Sequence, residues 1–143
     1  MMKLLIPAVL LALVIVFHRE PEIFIKLKER YALILDALEK TNDPMWHPVL
    51  RPAIITGMKG WNKKQGPIGS NVNKGYEIYI CLDGDDLNSA TYVLMHELAH
   101  MSVREYDHTT HFWDHFKKLK EVCISAGLYV PLHGNQYCGD SLS

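Results

Sequence analysis

In the run His96-Glu97-Leu98-Ala99-His100, imidazoles four residues apart would share one helical face, and both could reach a single ion about two ångströms from each ring nitrogen. Glu97 lies one step round the helix from His96. There its carboxylate stays out of the ligand set but falls beside a water held by the ion, where a general base is needed. The chemistry open to this set is hydrolysis without a covalent intermediate: zinc acidifies water towards a pKa of about 7 and polarises a peptide carbonyl, and Glu97 takes the proton. With eight His and eight Glu in 143 residues, random placement would give the pattern in about 2% of such chains, so its surroundings must be weighed. Leu94, Met95, Leu98, Ala99 and Met101 are uncharged and no proline intrudes, which suits a helix.

A catalytic zinc keeps three protein ligands and one open position. The longer pattern with Gly and His three and six residues beyond the second His is missing, since Val103 and Tyr106 stand there. His108 is the preferred third ligand. It follows His100 by enough chain for a reversing turn and stands in line with Phe112 and Leu119 on the inner face of the next helix. His111, at the edge of that face, and Glu121, at a downstream distance that suits a glutamate ligand, are the other candidates. His115, two turns from His108, is expected to be a surface or outer residue. Asp107 and Asp114 are read as ordinary helix-start acids in preference to partners of a ligand imidazole.

The elements that must position these residues are legible from periodicity. Pro21 suits a first helical residue, and Phe24, Leu27, Tyr31, Ile34, Leu35 and Leu38 recur at helical steps up to Thr41-Asn42-Asp43-Pro44. Met45 to Lys74 is rich in turn formers, with short β-type runs at Leu50–Thr56 and Ile68–Val72. Tyr76 to Leu82 alternates apolar and polar residues and predicts a strand. Asp86 or Asn88 caps the helix bearing His96 and His100, and a further helix from near Thr109 packs Phe112, Phe116 and Leu119 inward and ends at Gly127. The class is α+β: a small sheet packed on an N-terminal helix, the His-Glu-x-x-His helix and a C-terminal helix.

Tyr76–Leu82, the His96–His100 helix and Asp107-His108-Thr109-Thr110-His111-Phe112-Trp113 together resemble the core of the SprT-like and WLM-type zinc metallopeptidases. Those families share a strand, an HExxH helix and a third His four residues before an aromatic. Tyr137-Cys138-Gly139 is similar to an element of the small WLM-like metallopeptidases of large DNA viruses and protists, and the resemblance covers about residues 72 to 139. It implies a minimal zincin-like fold, zinc (Zn2+), endopeptidase activity and a protein or peptide substrate. It also implies a substrate-binding strand edge, with Tyr76, Ile78 and Ile80 on the strand that a peptide would extend. The alternative is a catalytically inactive, zinc-stabilised zincin-fold interaction module at a membrane. Cys81 and Cys138 fall at matched positions and would lie close together; buried free thiols are expected there in preference to a disulfide. Tyr106 or Tyr137 could donate to an oxyanion, though packed or exposed tyrosines are the expectation.

Composition bounds the rest. Lys+Arg 15 against Asp+Glu 16, a net charge of −1 and no basic block argue against a dedicated nucleic-acid binder. Leu4 to Phe17 is apolar throughout, follows Lys3 and is closed by His18 and Arg19 without a small-x-small cleavage site. Residues 1–18 are therefore expected to be an uncleaved, single-pass membrane signal anchor, or a cleaved signal of a secreted protein, and residues 19–143 the zincin-like domain.

Overall fold

A computed structural model of the chain describes residues 20–59, 68–74 and 77–142. Helix α1 spans Glu22–Lys40 and buries Leu27, Ile34 and Leu38, residues seven and four apart and hence on one stripe. After a short 3-10 turn at Pro44–Trp46 come strands β1 (Ile54–Met58), β2 (Gly69–Val72) and β3 (Glu77–Cys81). Strand β1 begins later than the β-type run at Leu50–Thr56 suggested, because Pro52 has no N–H to give to a ladder. Helix α2 covers Leu87–Met101 and α3 covers Thr110–Ser125, and a terminal hairpin pairs β4 (Gln136–Tyr137) with β5 (Asp140–Ser141). The protein is α+β: three helices and a small mixed sheet.

Within the sheet the order is β1-β3-β2, with β1 parallel and β2 antiparallel to β3. Ile78 pairs with Ile55 on one side and Asn71 on the other, and Ile80 with Gly57 and Gly69. The expectation that Tyr76, Ile78 and Ile80 offer a free strand edge is corrected by this register. Both ladders of β3 are already in use, and Ile78 and Ile80 are fully buried; Tyr76 lies outside the described residues. Period-2 alternation reports the two faces of a strand and is silent about its neighbours.

Helix α2 is the centre of the molecule. Eleven of its fifteen residues are buried, because it packs against the sheet as well as against α1 and α3, and an element covered on several sides reads as apolar nearly all round. Asp86 caps it, accepting from Asn88 N at 3.1 Å, and Thr109 caps α3, accepting from Phe112 N at 3.2 Å. At the far end of α3, Gly127 takes φ +73°, and the next residue, Leu128, donates to Cys123 O at 2.8 Å, the C′ closure expected there.

The expected free thiols are also corrected: Cys81 and Cys138 form a disulfide across 57 positions of sequence, while Cys123 is a buried free thiol. The bond ties the end of β3 to the turn of the terminal hairpin, and Tyr137 Oη adds a 2.6 Å hydrogen bond to Cys81 O. Such proximity depends on how the tail folds back, which spacing alone does not encode.

The membrane expectation is corrected as well. Among the described residues no helix is long and apolar enough to cross a membrane, so the single-pass anchor has no support. The apolar segment that prompted it, and the secreted alternative, fall on residues 1–18, outside the described residues.

Candidate functional site

His96 and His100 project from the same face of α2, as their spacing requires. The chain then turns through Ser102–Asp107 and delivers His108 just before the α3 cap. His108 Nε2 lies 3.0 Å from His96 Nε2 and 3.1 Å from His100 Nε2. One ring nitrogen from each of the three lies within 4.8 Å of the others, the only three-donor group of this kind among the described residues. Two ligands held about two ångströms from a tetrahedral ion stand roughly 3.3 Å apart, so the three rings need open only slightly to hold one. Lone pairs from three imidazoles meeting at one point match a divalent cation of the borderline class.

Phe112 fixes the rings from below. Fully buried, it stacks on His100 with ring centroids 4.3 Å apart, and lies 5.0 Å from the His96 ring and 4.9 Å from that of His108. Burial holds the His96 imidazole down to about 3, with the neighbouring His100 and His108 adding to the effect. His100 is lowered to about 4, again mainly by burial, then by His108 and Lys74. Neutral rings are the metal-binding form.

Glu97 is buried, at 5% exposure, and burial pushes its carboxyl up to about 7 against the opposing pull of a hydrogen bond. That bond comes from Asn71 Nδ2, which donates at 3.1 Å to Glu97 Oε2 and at the same distance to Glu97 O. Strand β2 can approach because position 69 is glycine: a Cβ there would meet Val93 Cγ1 at 2.5 Å and Glu97 Oε1 at 3.2 Å. Gly69 and Asn71, two apart on one strand, face the helix together.

Asn71 lay unremarked in the weak run Ile68–Val72, where only its position two after Gly69 signalled a shared face. Lys74 was missed too. Its Nζ donates to His100 O at 3.0 Å and to Glu105 O, and rests 4.5 Å above the Tyr106 ring. Asn73 and Lys74 both adopt left-handed backbone, φ +52° and +54°, which turns the chain so that the ammonium meets the carbonyl end of α2.

The other candidates separate from the cluster. Glu121 lines a cavity of about 710 Å³ between α1 and α3 that none of the three histidines lines. His111 Nδ1 pairs with Glu105 Oε2 at 3.2 Å, and His115 Nδ1 with Ser102 Oγ at 2.9 Å. Tyr137 is committed to Cys81, whereas Tyr106, 78% exposed, shares a cavity of about 260 Å³ with Asn71, Lys74 and the three histidines. A second cavity of about 320 Å³ is walled by Ile68, Tyr92, Val93 and Trp113 together with Asp140 and Ser141 of the terminal hairpin and the following Leu142, and opens onto His96, Glu97 and His108.

Comparison with known proteins follows the same residues. The WLM domain matches residues 58–142, more than half of the chain. An uncharacterized protein of Acanthamoeba polyphaga mimivirus is 36% identical over 78 residues, 48% of this chain and 40% of that protein. Another, from Invertebrate iridescent virus 6, is 36% identical over 74 residues, 46% of this chain and 41% of its own length. The chain thus spans about two fifths of the curated relatives it matches. No solved structure matches it. Because the matched stretch contains β2, β3, the helices carrying the histidine cluster and the terminal hairpin, the chain belongs to the WLM domain family.

Proposed function

We propose that the protein is a zinc-dependent endopeptidase with a zincin-type site, in which His96, His100 and His108 hold the metal and Glu97 is the general base. The observation that carries this reading is the convergence of three imidazole nitrogens within 4.8 Å of one another beside one buried carboxylate. A site that only stabilised the fold would have no use for that carboxylate, and zinc sites of that kind fill all four positions with protein ligands. When bound, zinc supplies the Lewis acidity that activates water and polarises the scissile carbonyl.

Everything else falls to the chain's own groups. Glu97 takes the proton from water and passes it to the leaving amine. Asn71, donating to Glu97 Oε2, leaves Oε1 as the atom that carries the proton. A substrate peptide extends β2, whose outer edge meets no other strand among the described residues, and this lays its backbone alongside Glu97. The cavity beside Trp113 receives a side chain next to the scissile bond.

Glu97→Gln tests the reading. Cleavage of an unfolded protein substrate should fall by about 10² to 10⁴ while zinc binding at the three histidines is retained. Parent-like cleavage by Glu97→Gln, or a zinc-loaded parent that cleaves nothing, refutes it; in the latter case a zinc-stabilised interaction module, unfolded by chelation, becomes the better account.

A further inference from the structure

The histidines left over from the proposed centre form a pair of their own. His111 and His115 stand four apart on α3, as His96 and His100 do on α2. Their ring centroids are 4.3 Å apart with planes at 76°, against 5.0 Å and 70° for the α2 pair. The second pair therefore matches the ring arrangement of the first.

Hydrogen bonds also fix which nitrogen each ring presents. The Glu105 carboxylate can only accept, so the 3.2 Å contact has His111 Nδ1–H as donor. Ser102 Oγ spends its proton on Ala99 O at 2.7 Å, so its 2.9 Å contact with His115 must receive the Nδ1–H of that ring. In the neutral form, each ring so held carries its free lone pair on Nε2. Metal-ligating histidines are held in just this way, by a carboxylate or other acceptor on the opposite ring nitrogen. The 102–107 turn supplies both acceptors, and Trp46 packs edge-on against His115 at 6.2 Å, which limits the freedom of its ring.

We propose that His111 and His115 form a second metal site, a two-imidazole chelate through their Nε2 atoms for a borderline divalent ion such as zinc, nickel or copper. Glu105 and Ser102 are its outer partners, and water completes the coordination, since the described residues offer no third donor. The site does not depend on the peptidase reading.

Calorimetric titration of the metal-stripped full chain with zinc chloride tests it. Two classes of site are expected, the second weaker. His111→Ala and His115→Ala should each abolish the second class and keep the first, His108→Ala should impair the first and keep the second, and Glu105→Gln should weaken the second by about 10- to 100-fold. If His115→Ala does not fold, His111→Ala decides, because His111 is exposed and free of the core. A single class in the parent, or a second class that survives His111→Ala, overturns the proposal.

Discussion

Two histidine pairs with the same spacing sit on consecutive helices, and their surroundings differ in almost every respect. The α2 pair lies against Phe112, is joined by His108, and has the buried Glu97 beside it. The α3 pair is turned towards solvent, with His111 and Glu105 about half exposed, and the Glu105 carboxylate is bound to one of its rings. Spacing on a helix brings two rings and the carboxylate beside them together, but a third donor, the burial of that carboxylate and an open cavity come from other elements. Here they come from the 102–107 turn, from β2 and from the terminal hairpin.

The largest effect that can break this contrast is Glu97→Gln, which should remove cleavage without removing metal. Next is His108→Ala, which reduces the three-histidine centre to a bare pair like its neighbour. Its zinc affinity should fall by more than the roughly 10- to 100-fold that loss of an outer partner costs, as read by competition with a chromophoric chelator.

Acid should discriminate the pairs as well. In metal-free protein His96 and His100 are held below the unfolded value of about 6.5, at about 3 and about 4, so the unfolded chain binds protons that the folded chain refuses. The share of stability due to these two residues is full above pH 6.5, then falls as pH drops towards 4 and 3, by on the order of a few kcal/mol. It is partly offset by the Glu97 carboxyl, which at about 7 takes up a proton in the folded chain before it would in the unfolded one. Urea midpoints at pH 7 and pH 4.5 would measure it, and replacing both residues by Gln should flatten the trend.

A smaller effect is expected from Asn71→Ala. It frees the Glu97 carboxylate without touching a ligand, so turnover should drop about tenfold at unchanged zinc content. Smallest of all, His111→Ala should change the thermal stability of metal-free protein by no more than about 0.5 kcal/mol, as for most exposed positions.

Much of the centre was legible in sequence for a simple reason: His96, Glu97 and His100 are local, and helical periodicity fixes their relative directions. His108 could be chosen over His111 and Glu121 because a reversing turn and the inner stripe of α3 leave little freedom. The three helices and the central strand followed from the same periodicities. Lateral relations were not legible. Alternation in 76–82 could not tell a middle strand from an edge, the Cys81–Cys138 bond depended on a tail without periodicity, and Asn71 acquires its role only once β2 lies across α2. The apolar run 4–17 suggested a span by composition alone, and no helix among the described residues bears it out.

The disulfide described above has a topological consequence. Glu97, the three converging histidines and the outer pair on α3 all lie between Cys81 and Cys138, inside one covalent ring, while Asn71 reaches Glu97 from outside it. Closing a loop of that length restricts the unfolded chain by roughly 4 kcal/mol on the chain-entropy account. It also hides damage: a single backbone cut anywhere in the ring leaves one molecule of unchanged mass apart from a water, and two fragments separate only after reduction.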